Sequence, residues 1–147
     1  MGFLFQSGRI LLGLLLVISG VIILQSGFKD HLQSFKELKR YVSGTPTVTD
    51  VIKSSVEAAS ETTLQNLVYC HAILIITSGA LVIADVRVGG FLMTMAMIGF
   101  ILTRDNPLLS VSDASWRMNF QNMLKDLAVA GAGILLFSKK KKIVHKK

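Results

Sequence analysis

His71 stands inside the apolar run Leu67–Ile83, the one histidine of three placed within a strongly hydrophobic stretch. An imidazole in a membrane span can ligate haem, hold a quinone, relay a proton or hydrogen-bond a neighbouring helix. A buried bis-histidine haem needs a second histidine at the same depth, and His31 and His145 fall outside the apolar stretches. His71 is therefore read first as an interhelix hydrogen-bonding group, with cofactor binding as its secondary reading. Lys125 and Asp126 form the other intramembrane polar pair. Adjacent residues point about 100° apart on a helix, so each should find a partner on another helix. Arg104 and Arg117 suit Asp126, whereas Arg9 is expected at the opposite membrane face. Met93, Met95 and Met97 read as packing residues before Cu(I) ligands. Cys70 is the only cysteine, which leaves no intrachain disulfide or cysteine metal motif. Nucleotide-binding loops, zinc motifs, nucleophile elbows and spaced carboxylate pairs are absent, so the chain reads as non-enzymatic, with no cofactor and no metal.

The elements that carry these residues follow from hydropathy. Leu67–Leu102 holds two apolar arms whose only charges, Asp85 and Arg87, lie at the bend. Each arm approaches the roughly 17–25 residues needed to cross a bilayer, which predicts a transmembrane hairpin over about 66–84 and 87–103. A first span is predicted over about 5–25. The charge at Arg9 before an apolar core also resembles a signal peptide, but the sequence after it lacks a small-x-small cleavage site, so the segment is expected to be retained. A fourth span is predicted over about 120–137, after the stop at Asn106-Pro107, with Trp116 as an interfacial anchor. Between the first two spans, 26–65 reads as a polar helical loop. Phe28, Leu32, Phe35, Leu38 and Val42 form one amphipathic face, suited to lipid or a partner protein. Ser43-Gly44-Thr45-Pro46 should end that helix, Thr49 should cap the next, and Thr62-x-x-Gln65 has capping-box form.

Gly13, Gly20 and Gly27 recur every seven residues, which marks a close-packing face on the first helix. The fourth helix offers Ala128 and Gly131, with other small residues around them, as the surface expected to seat on that face. The predicted architecture is all-α, a polytopic four-helix membrane bundle in a single domain.

Composition agrees with it. Hydrophobic residues make up 51% of the chain and charged residues only 17%. The net charge of +7 owes much to the tail from 138 to 147, where Lys139, Lys140, Lys141 and Lys142 are expected to touch lipid headgroups. Nucleic acid is not an expected partner. Four spans place both termini on one face, where basic residues crowd a membrane boundary, and this face is expected to be cytosolic or matrix.

Three segments carry a family resemblance: MGFLFQSGRILLGLLLVISGVI, ILIITSGALVIADVRVGGFLMTMAMIGFIL and FQNMLKDLAVAGAGILLFSKKKK. Together they resemble the DoxX-like membrane proteins, and above all the eukaryotic HR-like lesion-inducing proteins. The resemblance covers the four spans, about half of the chain, but not 27–66. It implies a four-helix membrane bundle and carries over no catalytic residue. The lysines at the last two positions depart from the retrieval signal of the related surfeit-locus cargo receptors.

The leading expectation is an accessory or structural subunit of a larger membrane complex, in contact with lipids and other subunits. The mitochondrial inner membrane and its respiratory chain are favoured over the endoplasmic reticulum. The alternatives are a quinone- or haem-linked redox subunit using His71, Lys125 and Asp126, and a cargo receptor or small transporter of the endoplasmic reticulum.

Overall fold

A computed structural model describes residues 3–45, 50–110 and 112–138. It is all-α: α1 (Phe3–Gln25), α2 (Phe28–Gly44), α3 (Asp50–Glu57), α4 (Glu61–Ile83), α5 (Arg87–Leu102) and α6 (Asp113–Ser138), with a 3-10 turn at Pro107–Leu109. Four helical stretches are long and apolar enough to cross a membrane: α1, α4, α5 with the turn that follows it, and α6. Thr49 and Lys139–Lys142 lie outside the described residues.

The spanning helices pack as an antiparallel row, and glycine decides who touches whom. Without a hydrophobic drive between helices in lipid, close backbone approach and van der Waals contact become the main source of association. On α1, Gly13 and Gly20 face α4. A Cβ added at Gly79 would stand 2.6 Å from the Gly13 carbonyl oxygen, and one at Gly20 would stand 2.9 Å from the Ala72 carbonyl oxygen. The seven-residue spacing of Gly13 and Gly20 thus meets the same spacing of Ala72 and Gly79 running the other way. At the far side of the row, α5 and α6 repeat the device. A Cβ at Gly90 would lie 2.5 Å from the Gly133 carbonyl oxygen, and Thr94 Oγ1 donates across the interface to the Ala130 carbonyl at 3.1 Å.

This arrangement corrects the expectation that α6 seats on the glycine face of α1. Ala128 is exposed and a Cβ at Gly131 would meet nothing within 4 Å; Ala130 and Gly133 are the small residues that α6 sets against α5. Gly27 likewise does not continue the packing face, because it is the N-cap of α2. Two helix starts also move. Ser60 caps α4 by accepting from the Thr63 backbone N–H at 3.2 Å, so this helix begins before Thr62-x-x-Gln65 rather than at it. The fourth spanning helix begins at Asp113, well ahead of Phe120, and Trp116 stacks on Phe120 with ring centroids 5.2 Å apart.

The α4–α5 hairpin closes with a Schellman turn, in which Val86 N–H donates to the Leu81 carbonyl and Asp85 N–H to the Val82 carbonyl. Asp85 occupies the left-handed position, φ 59°, that usually goes to glycine. Its carboxylate forms an ion pair with Arg9, which ties the start of α1 to the hairpin bend. Phe91 meets Phe137 at 5.8 Å, so the beginning of α1, the bend and the end of α6 share one end of the bundle.

Over the opposite end folds α2. Its apolar stripe, Phe28, Leu32 and Phe35, packs onto the buried core around Val68, Ile75 and Met97. The amphipathic helix therefore finds its bed within its own chain. Lys36 pairs with Glu61 at 2.6 Å, and Lys39 Nζ donates to the carbonyls of Glu57 and Ala59, closing the C-terminal end of α3.

Candidate functional site

Two groups of polar side chains lie within the bundle on either side of Phe100. The first is a histidine pair. His31, from the first turn of α2, and His71, from α4, are 2% and 7% exposed, and His31 Nε2 lies 2.8 Å from His71 Nδ1. His71 Nε2 lies 2.9 Å from the Ala96 carbonyl oxygen of α5. A carbonyl can only accept, so the network assigns the His71 proton to Nε2, leaves Nδ1 as an acceptor and makes His31 Nε2–H the donor to it. Phe100 contacts both rings, with centroids 4.8 Å from His71 and 5.4 Å from His31, and Phe35 stands edge-on to His31. Gly99 makes room for the imidazole: a Cβ there would stand 2.8 Å from His71 Nε2.

This corrects the expectation that His31 lies away from His71. Ser26 and Gly27 break the chain after α1, and His31 falls on the stripe of Phe28, Leu32 and Phe35 that α2 turns inward. That i, i+3, i+4, i+7 pattern was the available signal. The pair is nevertheless not set as two ligands of one iron. Two imidazoles bridged by a metal need nitrogens about 4 Å apart, twice the ~2 Å metal–nitrogen bond, whereas here they are hydrogen-bonded. Burial first, then His71 and Arg104, hold the His31 imidazole well below its ordinary value, at about 4. The His31 imidazole is accordingly neutral near pH 7.

The second group lines a cleft of about 330 Å³ between α1 and α6. Met97 and Phe100 of α5 floor it, Leu12, Leu16 and Val129 wall it, and Arg104, Asp105, Lys125 and Asp126 gather at its polar part. α5 ends early enough for this to happen. At 16 residues it spans roughly 24 Å, against ~30 Å of hydrocarbon. The segment after it then runs beside α6, pinned by Asn119 Nδ2 donating to Ser110 Oγ at 3.0 Å. Irregular backbone at such depth is tolerated where protein buries it or a cavity is lined by it. The Asp126 carboxyl faces that of Asp105, with Arg104 and Lys125 beside it. Asp126 Oδ2 is buried and receives no hydrogen-bond donor, since the facing Asp105 carboxylate can only accept while ionised.

The structure thus separates His71 from Lys125 and Asp126, and it selects Arg104, not Arg117, as the arginine of the Asp126 cleft. Asp105 was not anticipated; its acidity gave no clue, because only the early end of α5 brings it inward. Met93 and Met97 are buried while Met95 is 46% exposed, so the three do not share a face as ligands would. Cys70 is exposed. Among the described residues no three of His, Cys, Asp and Glu are grouped to hold a metal ion. Comparison with protein-family models, curated proteins and solved structures finds no match to this chain.

Proposed function

We propose that this chain is a non-catalytic integral membrane subunit that works by packing against other subunits and lipid. The observation that carries the proposal is the one-sided packing of the outer helices. In the most apolar window of α6 only 11% of residues are buried within the chain, and in that of α1 22%, against 39% and 44% for the inner pair. The outward face of α6 combines large apolar residues, Leu124, Leu127, Ile134 and Leu135, with Ala128 and Gly131, whose small size lets another helix approach. The two histidines are engaged with each other and with a backbone carbonyl, which supports a structural role for them.

In this proposal the chain is DoxX-like and belongs to a large energy-converting assembly of the mitochondrial inner membrane, with both termini in the matrix. Its lysine tail would then meet anionic headgroups on that side. The test is native purification in mild detergent, followed by mass spectrometry of co-migrating proteins. Constant stoichiometry with a high-mass complex supports the proposal; migration alone at its own mass overturns it. The Ala128→Leu/Gly131→Leu variant sharpens the result. Nothing lies within 4 Å of a Cβ at Gly131, so this chain should keep its fold and leave the complex. Continued full incorporation would remove α6 as the docking face. Protease access to the tail in sealed mitoplasts checks the orientation.

A further inference from the structure

We propose that the cleft between α1 and α6 binds an uncharged amphiphile whose head carries a hydroxyl. The site differs from the docking face proposed above, because its polar groups lie in the cleft between α1 and α6 and Leu124 alone is common to both.

Shape supplies the first argument. At about 330 Å³ the cleft falls in the roughly 300–1,000 Å³ range of small-molecule sites, and it pairs an apolar floor and walls with a few convergent polar groups. Leu15 at its α1 side is 55% exposed and Leu124 of α6 50% exposed, so an apolar tail leaving the cleft runs onto surfaces suited to hydrocarbon.

Charge supplies the second. Two carboxyls, Asp105 and Asp126, and two cations, Arg104 and Lys125, contribute a formal net charge of zero. A set with no net charge gives neither an anionic nor an ammonium head a net attraction to offset the cost of taking its charge out of water. An uncharged head carries no such cost.

Hydrogen bonding supplies the third. Asp126 Oδ2 is buried and receives no donor, and the Asp105 carboxyl that faces it supplies none while ionised, so a donor placed there relieves a costly contact. A hydroxyl donates one hydrogen bond to that oxygen, and its own lone pairs can accept from Arg104 or Lys125. Among simple heads, a hydroxyl therefore satisfies both kinds of group at once. A long-chain alcohol and a long-chain alkylphenol share this chemistry.

The experiment uses the full chain in nanodiscs with photoreactive diazirine probes of equal tail length ending in an aliphatic alcohol, a phenol, a carboxylic acid or a trimethylammonium. Labelled peptides are mapped by mass spectrometry. The alcohol, the phenol or both should label 12–19 and 122–129 saturably, at roughly tenfold lower concentration than either charged probe. Their relative affinity tells which of the two hydroxyl sources the cleft prefers. Asp126→Leu should abolish the difference between hydroxyl and charged heads. Val129→Trp, which fills the cleft without touching its charges, should abolish saturable labelling while the helical circular dichroism and melting temperature confirm the fold. Equal labelling by the charged probes, labelling spread evenly over the lipid-facing surface, or unchanged labelling of a folded Val129→Trp chain would each overturn the proposal.

Discussion

Chains carrying Gly79→Leu or Gly90→Leu are expected to lose their native bundle in mild detergent, while Gly8→Leu and Gly131→Leu chains retain it. The difference lies in what each new side chain meets. At Gly79 the nearest atom to a Cβ is the Gly13 carbonyl oxygen at 2.6 Å, and at Gly90 it is the Gly133 carbonyl oxygen at 2.5 Å, with the Phe137 backbone nitrogen at 2.8 Å. A flexible side chain can swing away, but a helix backbone can move only as a helix. Overpacking a close-packed interior typically costs 1–3 kcal/mol and occasionally more; with backbone as the obstacle, about 3 kcal/mol or above is expected here. Separating α5 from α6 would also break the hydrogen bond from Thr94 Oγ1 to the Ala130 carbonyl, worth roughly 0.6–2 kcal/mol in a membrane. Gly8 and Gly131 have nothing within 4 Å of the added carbon. Denaturation by graded sodium dodecyl sulfate, followed by circular dichroism, measures the four chains side by side. Gly13→Leu should match Gly79→Leu, and the double substitution should cost less than the two added together, because both disrupt one contact. Equal stability of Gly79→Leu and Gly131→Leu would show that the glycine crossing does not hold α1 to α4.

The contrast between these glycines also marks how far the sequence could be read. Hydropathy alone places the four spans, since runs such as Ile10–Leu24 have no soluble alternative, and the seven-residue spacing of Gly13 and Gly20 identifies a packing face. What that face packs against was not legible. Ala72 and Gly79 carry the same spacing, but Ala128, Ala130, Gly131 and Gly133 of α6 offer a denser set of small residues, and density does not reveal adjacency. Helix ends were harder still. Ser60 and Thr62 both carry a capping hydroxyl, and the structure places the cap at Ser60, three residues before the N–H it bonds. The candidate site was half visible: His71, Lys125 and Asp126 stand out as polar groups in apolar helices. Their companions His31 and Asp105 do not, because each lies beyond the end of an apolar helix and is carried inward where the chain breaks, one at Ser26-Gly27 and one after Leu102.

His71→Leu should destabilise the chain by about 1–3 kcal/mol, the usual cost of leaving one buried donor unpaired, since His31 Nε2–H then faces an apolar side chain. His31→Leu should cost a similar amount by orphaning His71 Nδ1. The double variant should recover part of the loss, with a coupling of roughly 0.5–3 kcal/mol, because no unpaired nitrogen then remains between α2 and α4. Purely additive losses would mean that the 2.8 Å contact contributes nothing as a pair. Acidity provides an independent readout of the same bond. His31 titrates near 4 in the folded chain, held down by burial, by His71 across the hydrogen bond and by Arg104, against an ordinary value of 6.5. Between those two values the unfolded chain binds the proton and the folded chain resists it, so stability must fall as pH drops from 6.5 towards 4 and level off below that for this group. The loss approaches roughly 3 kcal/mol, at about 1.4 kcal/mol per pH unit. Unfolding measured across this window should therefore show a steeper acid loss in the natural chain than in His31→Leu, with carboxyl titration common to both. Equal slopes would show that His31 is not held neutral by its burial, and the pair would then owe its position to the surrounding Phe35 and Phe100 rings rather than to its hydrogen bond.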